Sequence, residues 1–238
     1  MVVWHETIAL FGGSFDPPHL GHLEAVEGLF TKPGIKKVVI VPSANPPFKK
    51  NLTPINHRLK MIEHGFLSAI NKHLSSKIEI DLCEIKRAEL TKKPSYTYDT
   101  LLELKQVYSP EKNNLACVIG TDQLEDLRSW HRFPEILQLS HWIILLRKPD
   151  GESKARKILQ TWETQGLVQN KNNNIENDLW SLMDKQTYLK LVTTHAPLIS
   201  STEIRKHVAR AGTLPANTLH DDVVTYIKAH KLYGTSAL

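Results

Sequence analysis

The sequence predicts a doubly wound α/β fold, in which a parallel sheet is covered by helices on both faces. Short apolar runs of strand length alternate with amphipathic, helix-length stretches along the chain, as in repeated strand–helix–strand units. The length of 238 residues suits one large domain. Such sheets bind ligands beyond the carboxyl ends of their strands, so we expect the chemistry in residues that directly follow a strand.

The individual elements follow from local patterns. Apolar or alternating runs predict strands at residues 7–11, 37–41, 78–80, 115–119, 142–146 and 188–192. Amphipathic stretches predict helices at about 19–30, 53–71, 97–108 and 219–230, with a short helical segment after Pro134. Thr53 and Thr97 are predicted N-caps, with Pro54 in the first helical position. Ser200 and Glu203 form a predicted capping box ahead of one more amphipathic helix.

We expect a single domain over residues 1–238. Residues 151–186 are predicted to form a helical and loop insertion, because an Asn-rich run at 170–174 indicates a flexible surface loop. A helical portion over about residues 200–238 completes the chain. No internal repeat is present.

The composition is that of a soluble globular protein, with 41% hydrophobic and 23% charged residues. Apolar runs such as residues 143–146 are too short to cross a membrane. The two cysteines, Cys83 and Cys117, exclude a disulfide framework, and no leader pattern opens the sequence, so we expect a cytoplasmic protein. The net charge of +5 suits an anionic ligand such as a nucleotide, although solvated surface lysines give the same sum.

The first cluster of candidate binding residues is Gly-Gly-Ser-Phe-Asp-Pro-Pro-His-Leu-Gly-His at residues 12–22, between the first strand and its helix. Glycines let backbone N–H groups approach a phosphate, and the helix N-terminus adds a positive dipole end. His19 and His22 are three residues apart and share a helix face. The alternative is a tight turn followed by two ordinary helix histidines, but the complete string favours nucleotide binding.

The second cluster is Ile-Ser-Ser-Thr-Glu-Ile-Arg at residues 199–205, which follows the last predicted strand and begins a helix. Backbone N–H groups, hydroxyls and the guanidinium of Arg205 suit a polyphosphate. Alternatively, Ser200 and Glu203 only cap the helix and Arg205 is solvated. The presence of both clusters in one chain favours the binding interpretation.

Two other phosphate-binding motifs are missing from the sequence. No Gly-Lys pair occurs, so there is no P-loop, and there is no GxGxxG fingerprint. The sequence therefore predicts a nucleotide-binding protein that uses histidines where a P-loop enzyme uses lysine.

The His-x-Gly-His string at 19–22 and the Ile-Ser-Ser-Thr-x-x-Arg string at 199–205 together resemble the nucleotidyltransferase superfamily. Within it, the chain is most similar to the nicotinate-nucleotide adenylyltransferases of NAD biosynthesis. The resemblance runs from Ile8 to about Tyr233 and includes residues 41–49, 58–61, 95–101, 120–122 and Trp130. It implies a Rossmann-like sheet of the nucleotidyltransferase type and transfer of the adenylyl group of ATP to nicotinate mononucleotide, with release of pyrophosphate.

The resemblance also implies the site residues, one position at a time. ATP binding falls to the glycine-rich segment, the histidines and the Ser-Thr-Arg string, here Gly12, Gly13, Ser14, Phe15, His19, His22, Ser200, Ser201, Thr202 and Arg205. Acceptor binding falls to Asn45, Lys49, Thr97, Tyr98, Gly120, Asp122 and Trp130. Among these residues, His19, His22, Arg205 and Lys49 are the implied catalytic groups, and Trp130 is the residue that stacks on the pyridine ring. Mg²⁺ is expected to accompany the phosphates, without dedicated metal ligands from the protein.

Simpler interpretations exist for the acceptor residues. Trp130 can be a packing residue, Asp122 a turn residue and Lys49 a solvated cation. The chain also departs from the family at Phe48, where histidine is common, which puts any polar role of that position in doubt.

Three other functions are compatible with parts of the pattern. A nicotinamide-mononucleotide or pantetheine-phosphate adenylyltransferase shares both end motifs. An aminoacyl-tRNA synthetase core uses a related histidine pair, but we find no RNA-binding region and expect no nucleic acid or membrane partner. A nucleotide-binding regulator without turnover is the third. A homo-oligomer is left open.

Overall fold

The computed structural model describes residues 2–47, 51–109, 114–146, 150–171, 179–182, 186–194, 199–211, 213–214 and 216–235. The strands described there form one sheet of eight in the order β3-β2-β1-β4-β5-β8-β7-β6. Their bounds are β1 Ile8–Gly13, β2 Lys37–Pro42, β3 Ile78–Ile80, β4 Leu115–Gly120, β5 His141–Leu146, β6 Val168–Asn170, β7 Leu179–Leu182 and β8 Tyr188–Thr193.

The helices lie between these strands and after the last one. Their bounds are α1 Leu20–Thr31, α2 Ile55–Ile62, α3 Lys72–Ser75, α4 Cys83–Thr91, α5 Thr97–Tyr108, α6 Thr121–Asp126, α7 Gly151–Thr164, α8 Ser201–Ala211 and α9 Asp221–Ala229. A π-helical turn, Glu63–Leu67, follows α2, and short 3-10 turns lie at Trp4–Glu6, Leu127–Ser129, Glu135–Gln138 and Leu232–Gly234. No helix in this described part of the chain has the length and apolar character needed to span a bilayer.

The predicted doubly wound sheet is confirmed. β1 pairs in parallel with both β2 and β4, and the parallel pairing continues outward to β3 on one side and to β5 and β8 on the other. The chain thus builds the sheet outward from β1 in one direction, through β2 to β3, before it returns to place β4 on the other side. Parallel neighbours require crossover connections, and helices supply most of them.

Apolar residues cover both faces of the sheet because successive side chains of a strand point in opposite directions. Leu10, Val39 and Cys117 belong to a buried cluster on one face, whereas Ala9 and Val38 belong to a cluster on the other. Burial on both faces is what continuous apolar strand sequences indicate.

A third buried cluster attaches the C-terminal helices to the rest of the domain. Met61 of α2 packs with residues of α8 and α9, among them Ile204, Val208, Val223 and Ile227. Each of these apolar side chains is at most 1% exposed, and burial of one such side chain is worth roughly 1.5–3 kcal/mol. This cluster fixes where the helix that carries Arg205 begins.

Several predicted boundaries were wrong. The sheet hydrogen bonding continues through Gly12 and Gly13, so these residues end β1 and do not form the loop. The predicted helix over 53–71 is broken by the π-helical turn, and its N-cap is Pro54, not Thr53. Thr97 is the first residue of α5 and Tyr96 is its N-cap. Helix α4 was not predicted.

The residues from 151 onward differ most from the expected helix and surface loop. Helix α7 packs on the sheet with Leu159 and Trp162 buried. After it, β6 and β7 extend the sheet by antiparallel pairing, and Trp180 of β7 is also buried. These strands were missed because they are short and lie beside the Asn-rich run. They are stabilised only by pairing, that of β7 with β8 and that of β6 with β7.

Lys231, just beyond the end of α9, has a strained backbone conformation, and its substitution tests the cost of that strain. Lys231 has φ 49° and ψ 40°, a left-handed conformation that costs an L-residue roughly 1–2 kcal/mol. Glycine adopts it without this cost but loses more entropy on folding, so Lys231→Gly should raise the free energy of unfolding by about 0.5–1 kcal/mol in urea denaturation. Lys228→Gly, at an exposed helical position of α9, is the matched control and should lower it by about 1 kcal/mol. A destabilised Lys231→Gly protein would contradict this account.

Candidate active site

The candidate site lies at the carboxyl ends of β1 and β4. These two strands are neighbours, but the chain leaves β1 toward β2 and leaves β4 toward β5, in opposite directions along the sheet. The loops after them therefore diverge and leave a crevice, which is where open α/β sheets bind ligands. Ser14 begins the loop after β1, and Thr121 follows the last residue of β4.

One glycine of the pair, Gly13, has a steric reason. The backbone carbonyl of Gly13 accepts a hydrogen bond from Ser43 N–H at 2.8 Å, which joins the ends of β1 and β2. Phe15 has φ 47°, and its ring folds back so that a Cβ on Gly13 would lie 3.1 Å from the ring. Gly13 is thus needed for the close packing of Phe15.

The two histidines lie at the start of α1. His19 is the N-cap and not a helical residue as expected, and His22 is the third residue of the helix. His19 N–H donates to His22 Nδ1 at 3.2 Å, so a neutral His22 carries its proton on Nε2. The two rings are 3.7 Å apart between centroids. His19 is buried and His22 is half-buried.

The C-terminal motif directly contacts this loop. Ser201 Oγ donates to the carbonyl of Pro17 at 2.8 Å, and Arg205 Nη1 donates to the carbonyl of Asp16 at 2.5 Å. Ser200 and Glu203 form the reciprocal bonds of a capping box. The structure therefore brings the two sequence clusters together at one end of the sheet, although the bonded residues are 184 and 189 positions apart in sequence.

Arg58 lies in the 58–61 string of the resemblance, but no role was predicted for it. Its side chain is only 2% exposed, and it donates to the carbonyls of Ser14, Ser43 and Thr53 at 2.8, 2.9 and 2.9 Å. Burial lowers the pKa of Arg58, and the nearby carboxylate of Asp16 opposes that shift. The available signal was the position of Arg58 on the helix face that also carries Met61 and Ile62.

The predicted acceptor residues lie on segments that contact one another. The carbonyl of Asn45 accepts from Ser95 N–H at 2.9 Å, which holds the loop after β2 beside the start of α5, where Thr97 and Tyr98 lie. Tyr98 faces Arg132, whose guanidinium lies 4.8 Å from the ring centroid. Trp130 is half-buried, and its ring lies against Trp142 of β5 at 6.5 Å.

Gly120 and Asp122 form a tight turn at the end of β4. A Cβ on Gly120 would collide with Asp122 Oδ1, and Gly120 N–H donates to Gln123 Oε1 at 3.0 Å. Asp122 is itself exposed. A side chain at position 120 would thus displace the Asp122 carboxylate from its place at the start of α6.

A buried carboxyl group bonds to both the loop after β2 and α5, the two segments that carry predicted acceptor residues. Glu84 of α4 is 8% exposed and accepts from Thr100 Oγ1 at 2.8 Å and from Ala44 N–H at 3.4 Å. Arg87 in turn donates to Thr100 Oγ1 at 2.7 Å. Glu84 was not predicted, because α4 was not. Burial raises its pKa.

Lys49 and its neighbour Phe48 lie outside the described residues. Within the described ranges, no three His, Cys, Asp or Glu side chains are grouped so that they can hold a metal ion.

The fold and the site define a nucleotide-binding α/β protein, and comparison with known proteins gives its class. A family model described as cytidylyltransferase-like matches residues 10–207. A protein of Coxiella burnetii named probable nicotinate-nucleotide adenylyltransferase is 31% identical over 229 residues, which cover 95% of this chain and 97% of the relative. A protein of the same name from Buchnera aphidicola is 32% identical over 231 residues, which cover 96% and 97%.

The fold is also found in solved structures. The Plasmodium falciparum nicotinic acid mononucleotide adenylyltransferase complexed with NaAD has a TM-score of 0.69 at 22% identity, and the match covers 98% of this chain and all of that one. At this identity the likeness supports the fold. The family model and the two relatives, by contrast, show that the chain belongs to the nicotinate-nucleotide adenylyltransferase family within the cytidylyltransferase-like class.

The raised pKa of Glu84 predicts how stability depends on pH. As the pH rises above the ordinary value of 4.5, the unfolded chain releases this proton while the folded protein retains it, so the carboxyl group lowers stability until the folded group also ionises. The free energy of unfolding of Glu84→Gln, relative to that of the wild type, should therefore increase as the pH rises from 4 to neutral. Urea denaturation at each pH measures the difference. Glu89→Gln, on the exposed face of α4, should show no such trend, and equal trends for the two variants would contradict the assignment.

Proposed function

We propose that this protein transfers the adenylyl group of ATP to nicotinate mononucleotide and releases pyrophosphate, a step of NAD biosynthesis. The observation that carries the proposal is the pair of hydrogen bonds from Ser201 and Arg205 to the loop that leads into His19. They bring the start of α8 beside the start of α1. The names of the relatives and of the solved structures support the choice of substrates.

The triphosphate is proposed to bind where the two helices begin. Each N-terminus is the positive end of a helix dipole, which favours a bound anion. Arg205 adds a guanidinium that presents a planar fork to phosphate oxygens. Gly12 is exposed at the end of β1, so its backbone lies open to a ligand.

The reaction is in-line attack by a phosphate oxygen of the acceptor on the α-phosphorus of ATP. It needs no protein nucleophile, because positioning of the two anions and neutralisation of the developing charge account for the catalysis. Because His22 Nδ1 accepts from His19 N–H, the proton of the neutral ring is on Nε2, which is proposed to donate to a phosphate oxygen. A neighbouring phosphate also favours the protonated form of histidine.

Three groups complete the charge neutralisation. Arg205 binds the departing pyrophosphate, and Lys49 is proposed to approach the reacting phosphates. Mg²⁺ held by phosphate oxygens would supply further neutralisation when bound.

The acceptor is proposed to bind between the loop after β2, the start of α5 and the loop that carries Trp130. The pyridine ring stacks on Trp130, whose position is held by its packing on Trp142. Thr97, Tyr98, Asn45 and the Gly120–Asp122 turn line the remaining walls.

A cytoplasmic location also belongs to the proposal. Cys83 and Cys117 are both buried free thiols, and burial raises the pKa of Cys117 to about 12. Thiols of this kind are typical of a reducing compartment.

The proposed function is tested by one assay with purified protein. Pyrophosphate release from ATP and Mg²⁺ should depend on nicotinate mononucleotide and yield nicotinate adenine dinucleotide. Nicotinamide mononucleotide and phosphopantetheine serve as competing acceptors. Faster turnover with either of them would reassign the acceptor, and no turnover with any of the three would refute the proposal.

Substitutions in the two halves of the site should have different kinetic effects. His22→Ala should lower kcat about 100-fold, because it removes a donor to the transition state, and should leave KM for the acceptor nearly unchanged. Trp130→Ala should chiefly raise KM for the acceptor, since a lost stack costs about 1–3 kcal/mol. Steady-state kinetics with each substrate varied distinguishes them. The controls are His73→Ala, on the exposed surface of α3, and Trp4→Ala, in the 3-10 turn before β1. Near-normal kcat in His22→Ala would remove that residue from the mechanism.

A further inference from the structure

The C-terminal end of the chain returns to the loop after β1. After α9 the chain makes a 3-10 turn at Leu232–Gly234, and the hydroxyl of Tyr233 in this turn donates to Asp16 Oδ1 at 2.7 Å. The two residues are 217 positions apart. Tyr233 has φ 60° and ψ 13°, a conformation that a bulky residue keeps only where the surrounding contacts enforce it.

Asp16 is held from several directions. Its side chain is 1% exposed. While Oδ1 accepts from Tyr233, Oδ2 accepts from Thr53 N–H at 3.1 Å, and the cation of Arg58 is close enough to interact with the carboxylate. A buried carboxylate is stable only when it is paired and hydrogen-bonded in this way. The position of the Asp16 backbone therefore depends on these partners.

The backbone of Asp16 is also a contact of the proposed phosphate site. Its carbonyl accepts from Arg205 Nη1 at 2.5 Å, and the next carbonyl, that of Pro17, accepts from Ser201 Oγ. His19 follows two residues later. A shift of Asp16 would thus move the guanidinium and an imidazole that we place on the triphosphate.

We infer that Tyr233 is a positioning residue for adenylyl transfer: its hydroxyl fixes Asp16, and the backbone of Asp16 aligns Arg205 and His19 on the triphosphate. This inference rests on the proposed function. Burial and the neighbouring Asp16 raise the pKa of Tyr233, so the hydroxyl keeps the proton that it donates throughout the neutral range. The C-terminal turn is then a working part of the ATP site, although it does not contact the nucleotide.

Tyr233→Phe tests the inference in the full-length protein. The substitution keeps the ring, which packs on the third cluster, and removes only the hydroxyl. Because hydrogen bonds to charged groups are strong, we expect KM for ATP to rise about tenfold and kcat to fall. KM for nicotinate mononucleotide should change less than twofold. A purely structural role would reduce the amount of active enzyme and leave both KM values unchanged.

Tyr226→Phe is the matched control. Tyr226 is half-buried in the same cluster, but its hydroxyl pairs with His57 Nδ1 at 3.0 Å and does not contact the loop after β1. This variant should keep both KM values and kcat within twofold of the wild type. Equal kinetics of Tyr233→Phe and Tyr226→Phe would overturn the inference.

A double-mutant cycle tests whether Tyr233 acts through Asp16. In the Asp16→Asn background, Tyr233→Phe should add less than a twofold change in KM for ATP, whereas a full additional effect would show that the two residues act independently. If Asp16→Asn does not fold, the comparison of the two tyrosine variants decides the question.

Calorimetric titration with ATP, without any acceptor, separates this inference from the proposed function. If the wild type does not bind ATP, the proposed function fails. If the wild type and Tyr226→Phe bind ATP and Tyr233→Phe binds it equally well, only the role of Tyr233 fails.

Discussion

The buried guanidinium of Arg58 is the interaction on which the candidate site depends. Its three carbonyl partners belong to the loop after β1, the loop after β2 and the residues before α2, so one side chain joins three separate segments. A guanidinium stays charged in proteins, and burying it is costly unless its donors are satisfied and an anion is near. Asp16 supplies that anion. These three bonds also explain why arginine is needed at position 58, because no apolar residue of similar size can satisfy three inward-pointing carbonyls.

The sheet decides which loops this cation can reach. Since β1 and β2 are parallel and adjacent, their carboxyl ends and the loops beyond them lie on the same side. The C-terminal helices then close the arrangement from outside, and they are attached through apolar packing on Met61 of α2. The helix that supplies Arg58 to the loops is therefore also the helix that receives α8. Helix α2 thus makes two kinds of contact: Arg58 bonds to the loops, and Met61 packs against α8 and α9.

The sequence predicted local features well where one residue type has one physical role. The apolar parallel strands were recognised because they are buried on both faces, and the Ser200–Glu203 capping box was recognised because its two bonds are local. Predictions failed where the outcome depends on distant pairing. β7 is a strand only because β8 provides a partner, and β6 only because β7 does. The helix predicted over 53–71 breaks at Glu63–Leu67, where the π-helical turn lies beside Pro18 and Val223.

By itself, the sequence determined the class of fold and the two end motifs, because strand and helix periodicity, glycine-rich turns and helix caps depend on neighbours within a few positions. Only the tertiary structure decided that Arg205 bonds to the backbone of Asp16, that Arg58 is buried and that Tyr233 reaches the loop after β1. The bonds from Arg58, Arg205 and Tyr233 to the loop after β1 join residues that are 44, 189 and 217 positions apart. A charged or phenolic side chain carries no local signal of a distant partner. Its burial becomes favourable only after the sheet and the apolar clusters have brought that partner within hydrogen-bonding distance.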